Sequence, residues 1–262
     1  MLKHLALLLI ALSFGLTASL PTAWADHHEE GDGAAATEPT PDEVATAYLD
    51  ELKAKIGKQA GPAAEATATK LVDMWKDEAL SEDTKKPIPG YLQKIAGQKD
   101  EAAGAAGVTA LAELGPDHAT KTITKILGKA LKAKEPSKPL YKACLAALGT
   151  MADPGKSATK TLVDLLKYKD YDVINAAAHA LAGYEKSPGK LRRDLLEDVI
   201  KLNEGTFTAS KGSDNNAKTK WNVIQGGVMN AIRKLSKQNL RDPEEARKWF
   251  NDNKKKPWDR RE

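Results

Sequence analysis

Three consecutive residues, Asp26, His27 and His28, carry the sharpest chemistry in this 262-residue sequence. Cleavage after Ala25 would leave His28 third from a free amine. That amine, two deprotonated backbone amides and the His28 imidazole then offer four nitrogens in a plane, the arrangement Cu(II) or Ni(II) prefers. A polar linker that happens to contain histidines is the competing reading. A bound Cu or Ni at the mature amino terminus is the one cofactor the sequence suggests.

The other reactive residue types are placed poorly for catalysis. Cys144 is the only cysteine, so an intramolecular disulfide is excluded, and its position in an apolar helical stripe predicts a buried, inert thiol. Gly155-Lys156-Ser157 invites a phosphate-loop reading, but five residues separate Gly149 from Gly155 where that motif has four, and Pro154 lacks an amide donor. An interhelical turn is the expectation. His118 and His179 stand alone, without zinc-ligand spacing, and no catalytic serine motif occurs. Asp164, Asp194 and Glu197 sit near lysine or arginine on helical patterns, as on a solvated face. The expectation is therefore no enzyme, an enzyme surviving only through residues that converge in the fold.

A second set of residues suits recognition. Aligning successive helical patterns on Ala110, Ala147, Ala180 and Ala231 leaves Lys138, Lys142, Tyr171, Asn175, His179, Asn222 and Asn230 off the apolar stripe. Two lysines, an aromatic, a histidine and three amides differ from the uniform Lys and Glu of an ordinary solvated surface. The expected partner is a protein or peptide, with Tyr171 and His179 as its central contacts.

These residues need a scaffold, and the stretch from Pro116 to Pro188 supplies one by repeating itself. Ala119 to Leu127 reads ATKTITKIL and Ala158 to Lys167 reads ATKTLVDLLK. Each copy is followed by a second pattern: Leu140, Cys144, Ala147, Leu148 and Met151, then Val173, Ala177, Ala180, Leu181 and Tyr184. Spacings of three and four put each set on one helical face. Paired amphipathic helices with a period of about 33 to 37 residues predict an all-α solenoid. Aromatics at 5%, with alanine and leucine at the apolar positions, also favour helices over a β-sandwich.

Lys3, the apolar run from Leu5 to Leu20, and Ala23-Trp24-Ala25 have the three parts of a secretory signal peptide. Export to the periplasm or medium is expected, with an uncleaved anchor as the alternative. No later stretch is apolar enough to span a bilayer, so no membrane association is expected after cleavage. Residues 26–41 read as a disordered linker. Lysines and acids are interspersed at a formal net charge of +4, which speaks against a nucleic-acid partner.

Residues 42–240 read as about five helical hairpins. The first helix has Val44, Tyr48, Leu52 and Ile56 on one face, and LVDMWK at Leu71 to Lys76 matches the LVDLLK of Leu162 to Lys167 except at two apolar positions. The polar run 203–219 reads as a surface insertion. Residues 241–262 read as a capping helix and charged tail, with Asp242 as N-cap, Pro243 at the first position, and acids after it. Trp221, Trp249 and Trp258 either cap the solenoid end or form an aromatic binding surface. Arg192 and Arg193 read as ordinary solvated charges.

From Lys99 to Leu240 the second-helix pattern resembles HEAT repeats: Asp172 and Val173 open it, and Ala177, Ala180 and Leu181 continue it. Pro139 departs from the acid expected there, and the first two hairpins match only in apolar pattern. The resemblance implies a binding scaffold without chemistry of its own, second helices lining a concave face.

Overall fold

Thr40 starts the first helix with a reciprocal cap. Its hydroxyl accepts from the Glu43 N–H at 3.3 Å while the Glu43 carboxylate accepts from the Thr40 N–H at 2.7 Å. The structure, a computed structural model, describes residues 38–151 and 155–259, and these form helices and no strand. In chain order the helices are α1 (Pro41–Lys55), α2 (Gly61–Lys76), α3 (Glu82–Lys85), α4 (Ile88–Ala96), α5 (Glu101–Glu113) and α6 (Pro116–Lys132). They continue with α7 (Lys138–Thr150), α8 (Gly155–Leu165), α9 (Tyr171–Ala182), α10 (Gly189–Ser210), α11 (Asn215–Ser236) and α12 (Pro243–Asn253). Side-chain N-caps from Asp100, Ser137, Asp170, Asp214 and Asp242 fix where α5, α7, α9, α11 and α12 begin.

The hairpins are α1/α2, α4/α5, α6/α7, α8/α9 and α10/α11. Their second helices α2, α5, α7, α9 and α11 pack in unbroken succession, and α4, α6, α8 and α10 follow one another in a second layer. This is the solenoid-like arrangement the period predicts. The repeat is visible side chain by side chain. Ala119, Ile123 and Leu127 of α6, and Ala158, Leu162 and Leu166 in and just after α8, are all at most 2% exposed. Two tyrosines tie the α8/α9 hairpin to the α6/α7 hairpin before it: Tyr168 Oη donates to the Leu131 carbonyl at 2.8 Å, and Tyr184 Oη to that of Leu148 at 3.1 Å.

Three expectations need correction. In and just after α1, Leu52 and Ile56 are buried and Tyr48 is half-buried against the core as expected, but Val44 is 47% exposed, and Ala45 and Leu49 are buried beside them. The run 203–219 is no insertion: α10 continues through Ser210, a tight turn follows, and α11 starts at Asn215. Asn203 is buried with its amide donating to the Val199 carbonyl at 2.7 Å, and Phe207 packs at a tilt against Trp221, 5.1 Å between ring centres.

Arg192, third, is not solvated but only 3% exposed. Its guanidinium donates to the carbonyls of Ser187 at 3.1 Å, Leu235 at 3.1 Å and Trp258 at 2.7 Å. The tail after α12 is thereby strapped onto the solenoid end. Asp259 accepts from the Gly189 N–H at 2.6 Å, and Trp258 packs against Trp249 and Phe250. Trp249 and Trp258 thus belong to the cap, whereas Trp221 packs elsewhere, on Phe207.

Several carboxyls that hold these junctions titrate below their ordinary range. Backbone N–H donors lower Asp100 (Ala103, then Gly61) and Asp42 (Ser81), and the Lys138 ammonium lowers Asp172. A group whose folded pKa is depressed binds protons more readily in the unfolded chain, so its contribution holds at neutral pH and is lost on acidification. The melting temperature should be level above about pH 5 and fall as the pH drops through and below about 4, the unfolded carboxylate range. A flat profile by calorimetry across that range would contradict it.

Candidate functional site

Second helices stacked side by side leave one stripe of each uncovered, and on α7, α9 and α11 that stripe carries most of the recognition set. Between α7 and α9 it forms an open cleft of about 460 Å³. Its floor is small and apolar, from Leu145, Ala146, Ala176 and Ala180; Lys142, Thr150, Asp172, Asn175 and His179 supply the polar groups. The helices approach closely because Gly149 faces the Ala180 backbone: a Cβ built on Gly149 would lie 2.6 Å from the Ala180 oxygen.

The predicted residues divide by what they already do. Lys138 opens α7 and donates to Oδ2 of Asp172, which lines the cleft, at 2.9 Å; this raises the lysine pKa and lowers that of the acid. Asn175 is half-buried; its Oδ1 accepts from the Gly227 N–H of α11 at 2.8 Å, so it ties α9 to α11. Tyr171 opens α9 half-buried and packs against the core, which gives it a structural task. Lys142 and His179 are exposed in the cleft, and neither makes an ion pair among the described residues. Asn230 reaches His179 from α11, its Nδ2 lying 3.3 Å from His179 Nδ1, where it donates if the ring proton is on Nε2. Asn222 is exposed two turns earlier on the same side of α11 and outside the cleft. The sequence reading missed Asp172 as the partner that fixes Lys138.

Asp26, His27 and His28 lie outside the described residues. Among the described residues no group of three or more His, Cys, Asp or Glu is placed to hold a metal ion. No described helix is long and apolar enough to cross a membrane. Cys144 is 0% exposed and burial pushes its thiol up to about 12, so the thiolate that nucleophilic chemistry needs is not formed near neutral pH. Asp198 is the described acid raised above its ordinary range, by burial first and the Glu197 charge second, and it lines neither this cleft nor the hollow between α6 and α8. Gly155, with φ of +79°, opens α8 directly.

No protein-family model matches the chain, and no curated protein matches it. Among solved structures, one crystal structure of an engineered protein is similar at 20% identity with a TM-score of 0.33, over 65% of this chain and 79% of its own. Another engineered protein is 19% identical with a TM-score of 0.34, over 81% of this chain and 54% of its own.

Proposed function

We propose that this is an exported, non-enzymatic scaffold of HEAT-like hairpins that binds a protein or peptide partner across the uncovered stripes of α7, α9 and α11. The observation that carries the reading is that Lys142 and His179, expected from helical alignment to share one uncovered face, line one open cleft, with Asn230 of α11 in contact with His179. The cleft has the make-up of a peptide site: an apolar floor for side chains, a cation, and hydrogen-bonding groups at the rim. Lys142 favours a partner segment with a carboxylate. Lys138, already neutralised by Asp172, does not add to that preference.

The test is a Lys142→Glu/His179→Ala double variant. Both side chains are exposed, so helicity and melting temperature should stay within about 2 °C of the parent. Proteins cross-linked to the parent in the native exported fraction should be recovered at least about tenfold less with the variant, since a few central contacts dominate an interface. Equal recovery with the variant, combined with loss on Trp249→Ala, would move the binding site to the carboxy-terminal aromatic cap.

A further inference from the structure

α6 and α8 are copies of one helix that differ in charge where they are otherwise alike. Ala119, Thr120, Lys121 and Thr122 recur as Ala158, Thr159, Lys160 and Thr161. In α8, Lys160 is neutralised one turn later by Asp164, at 2.6 Å. In α6 the position matching Asp164 is Lys125. Lys121, Lys125, Lys129 and Lys132 follow one another at steps of four, four and three, and all four are exposed. None is in an ion pair among the described residues. At 3.6 residues per turn and 1.5 Å per residue they occupy an arc of about 80° and a length of about 16 Å.

Like charges one turn apart weaken a helix, and the neighbouring elements do not offset them. Asp117, in the first turn of α6, stands four residues before Lys121 and lines the same hollow, so it offsets that lysine in part but lies two turns or more from Lys125, Lys129 and Lys132. Of the acids on α5, Glu113 is held by Lys76 at 2.5 Å and Glu101 lies at the far start of the helix. α7 has no acid, and α4 adds Lys94. Asp164 of α8 is taken by Lys160, and Glu135 in the following loop is the nearest acid in sequence beyond Lys132.

The geometry points to this row as a second docking surface, independent of the α7–α9 cleft, for an extended acidic peptide segment. In an extended strand alternate side chains stand about 6.6 to 6.8 Å apart, and lysines four residues apart rise about 6 Å. Acidic residues at alternate positions therefore meet successive lysines. A membrane is the poorer fit, because interfacial binding needs an apolar face, and the exposed large hydrophobics among the described residues, Val44 and Val223, lie on α1 and α11. A single-stranded nucleic acid is poorer too, because α6 has no Phe, Tyr or Trp on which bases could stack.

The experiment uses the full chain and a labelled twelve-residue peptide alternating Glu and Ser, read by fluorescence anisotropy at low and moderate salt. Anionic vesicles and a single-stranded oligonucleotide are run beside it. A Lys121→Glu/Lys125→Glu/Lys129→Glu variant is compared with Lys218→Glu/Lys220→Glu/Lys248→Glu, which changes net charge equally at another place. The expected result is salt-sensitive peptide binding that the row variant weakens about tenfold or more and the control about twofold or less. The His179 and Lys142 substitutions should leave it unchanged. No binding by the parent, equal loss in both triple variants, or a row-dependent preference for vesicles or oligonucleotide would each overturn the proposal.

Discussion

Replacing Arg192 with leucine is expected to lower stability by about 3 kcal/mol, because it strands backbone carbonyls in a site with little access to water. The guanidinium bonds three carbonyls from three separate elements, and one of them, Leu235, is in the last turn of α11, where the helix dipole adds to the attraction. Leucine fills much of the volume but none of the donor positions. Lysine retains the charge as a single compact donor and cannot span the three acceptors, so Arg192→Lys should recover only part of the loss. For a chain of this size the Leu variant should melt roughly 6 to 12 °C lower. Trp258 should become solvated at lower urea than the rest of the protein, since its carbonyl is one of the three held. A loss below about 1 kcal/mol would show that the strap contributes little.

Arg192 also shows which parts of the fold can be read from sequence. It stands three and four residues before Leu195 and Leu196 and seven before Val199, so it occupies a position of the buried stripe of α10. That spacing was the available signal. It is outweighed by residue type, because buried arginines are rare and LRRDLLED reads as a charged face. The donors' partners lie 43 and 66 residues away, at Leu235 and Trp258, beyond the reach of any local pattern.

The stretch 203–219 fails for a related reason. Asn, Gly, Thr and Ser are weak helix formers, and tertiary contacts overrule that preference. Phe207 packs on Trp221, Lys211 pairs with Glu244 at 2.9 Å, and Glu204 pairs with Arg247 at 2.9 Å, so α10 is extended by neighbours late in the chain. The hairpins of Pro116 to Pro188, by contrast, are local objects. Their period, their buried faces, and the meeting of Lys142 with His179 follow from spacing alone. Whether Asn175 and Tyr171 are free for a partner does not, since that depends on Gly227 and on packing around the start of α9.

Helix propensity and helix packing make opposite predictions at Gly149, and the contrast with Gly128 separates them. Both are helical glycines without a positive φ, and alanine is intrinsically better in a helix by about 1 kcal/mol. At Gly128 a Cβ would meet nothing within 4 Å, so Gly128→Ala should stabilise by up to about that amount. At Gly149 a Cβ would lie 2.6 Å from the Ala180 oxygen and 2.7 Å from its Cα, and Gly183 faces Gly149 across the same crossing. These obstacles are backbone, so no rotamer change relieves them; α7 and α9 must separate or tilt. Gly149→Ala should therefore destabilise despite its propensity, and Gly149→Val should cost about 3 kcal/mol or more, the upper part of the range for overpacking. The shift should also open the floor of the cleft and expose Cys144, five residues earlier on α7. Parent protein should resist a thiol-alkylating reagent until it unfolds, whereas the Val variant should react under native conditions. If Gly149→Ala raises the denaturation midpoint as Gly128→Ala does, the two helices are not in backbone contact, and the repeats are packed more loosely than this crossing requires.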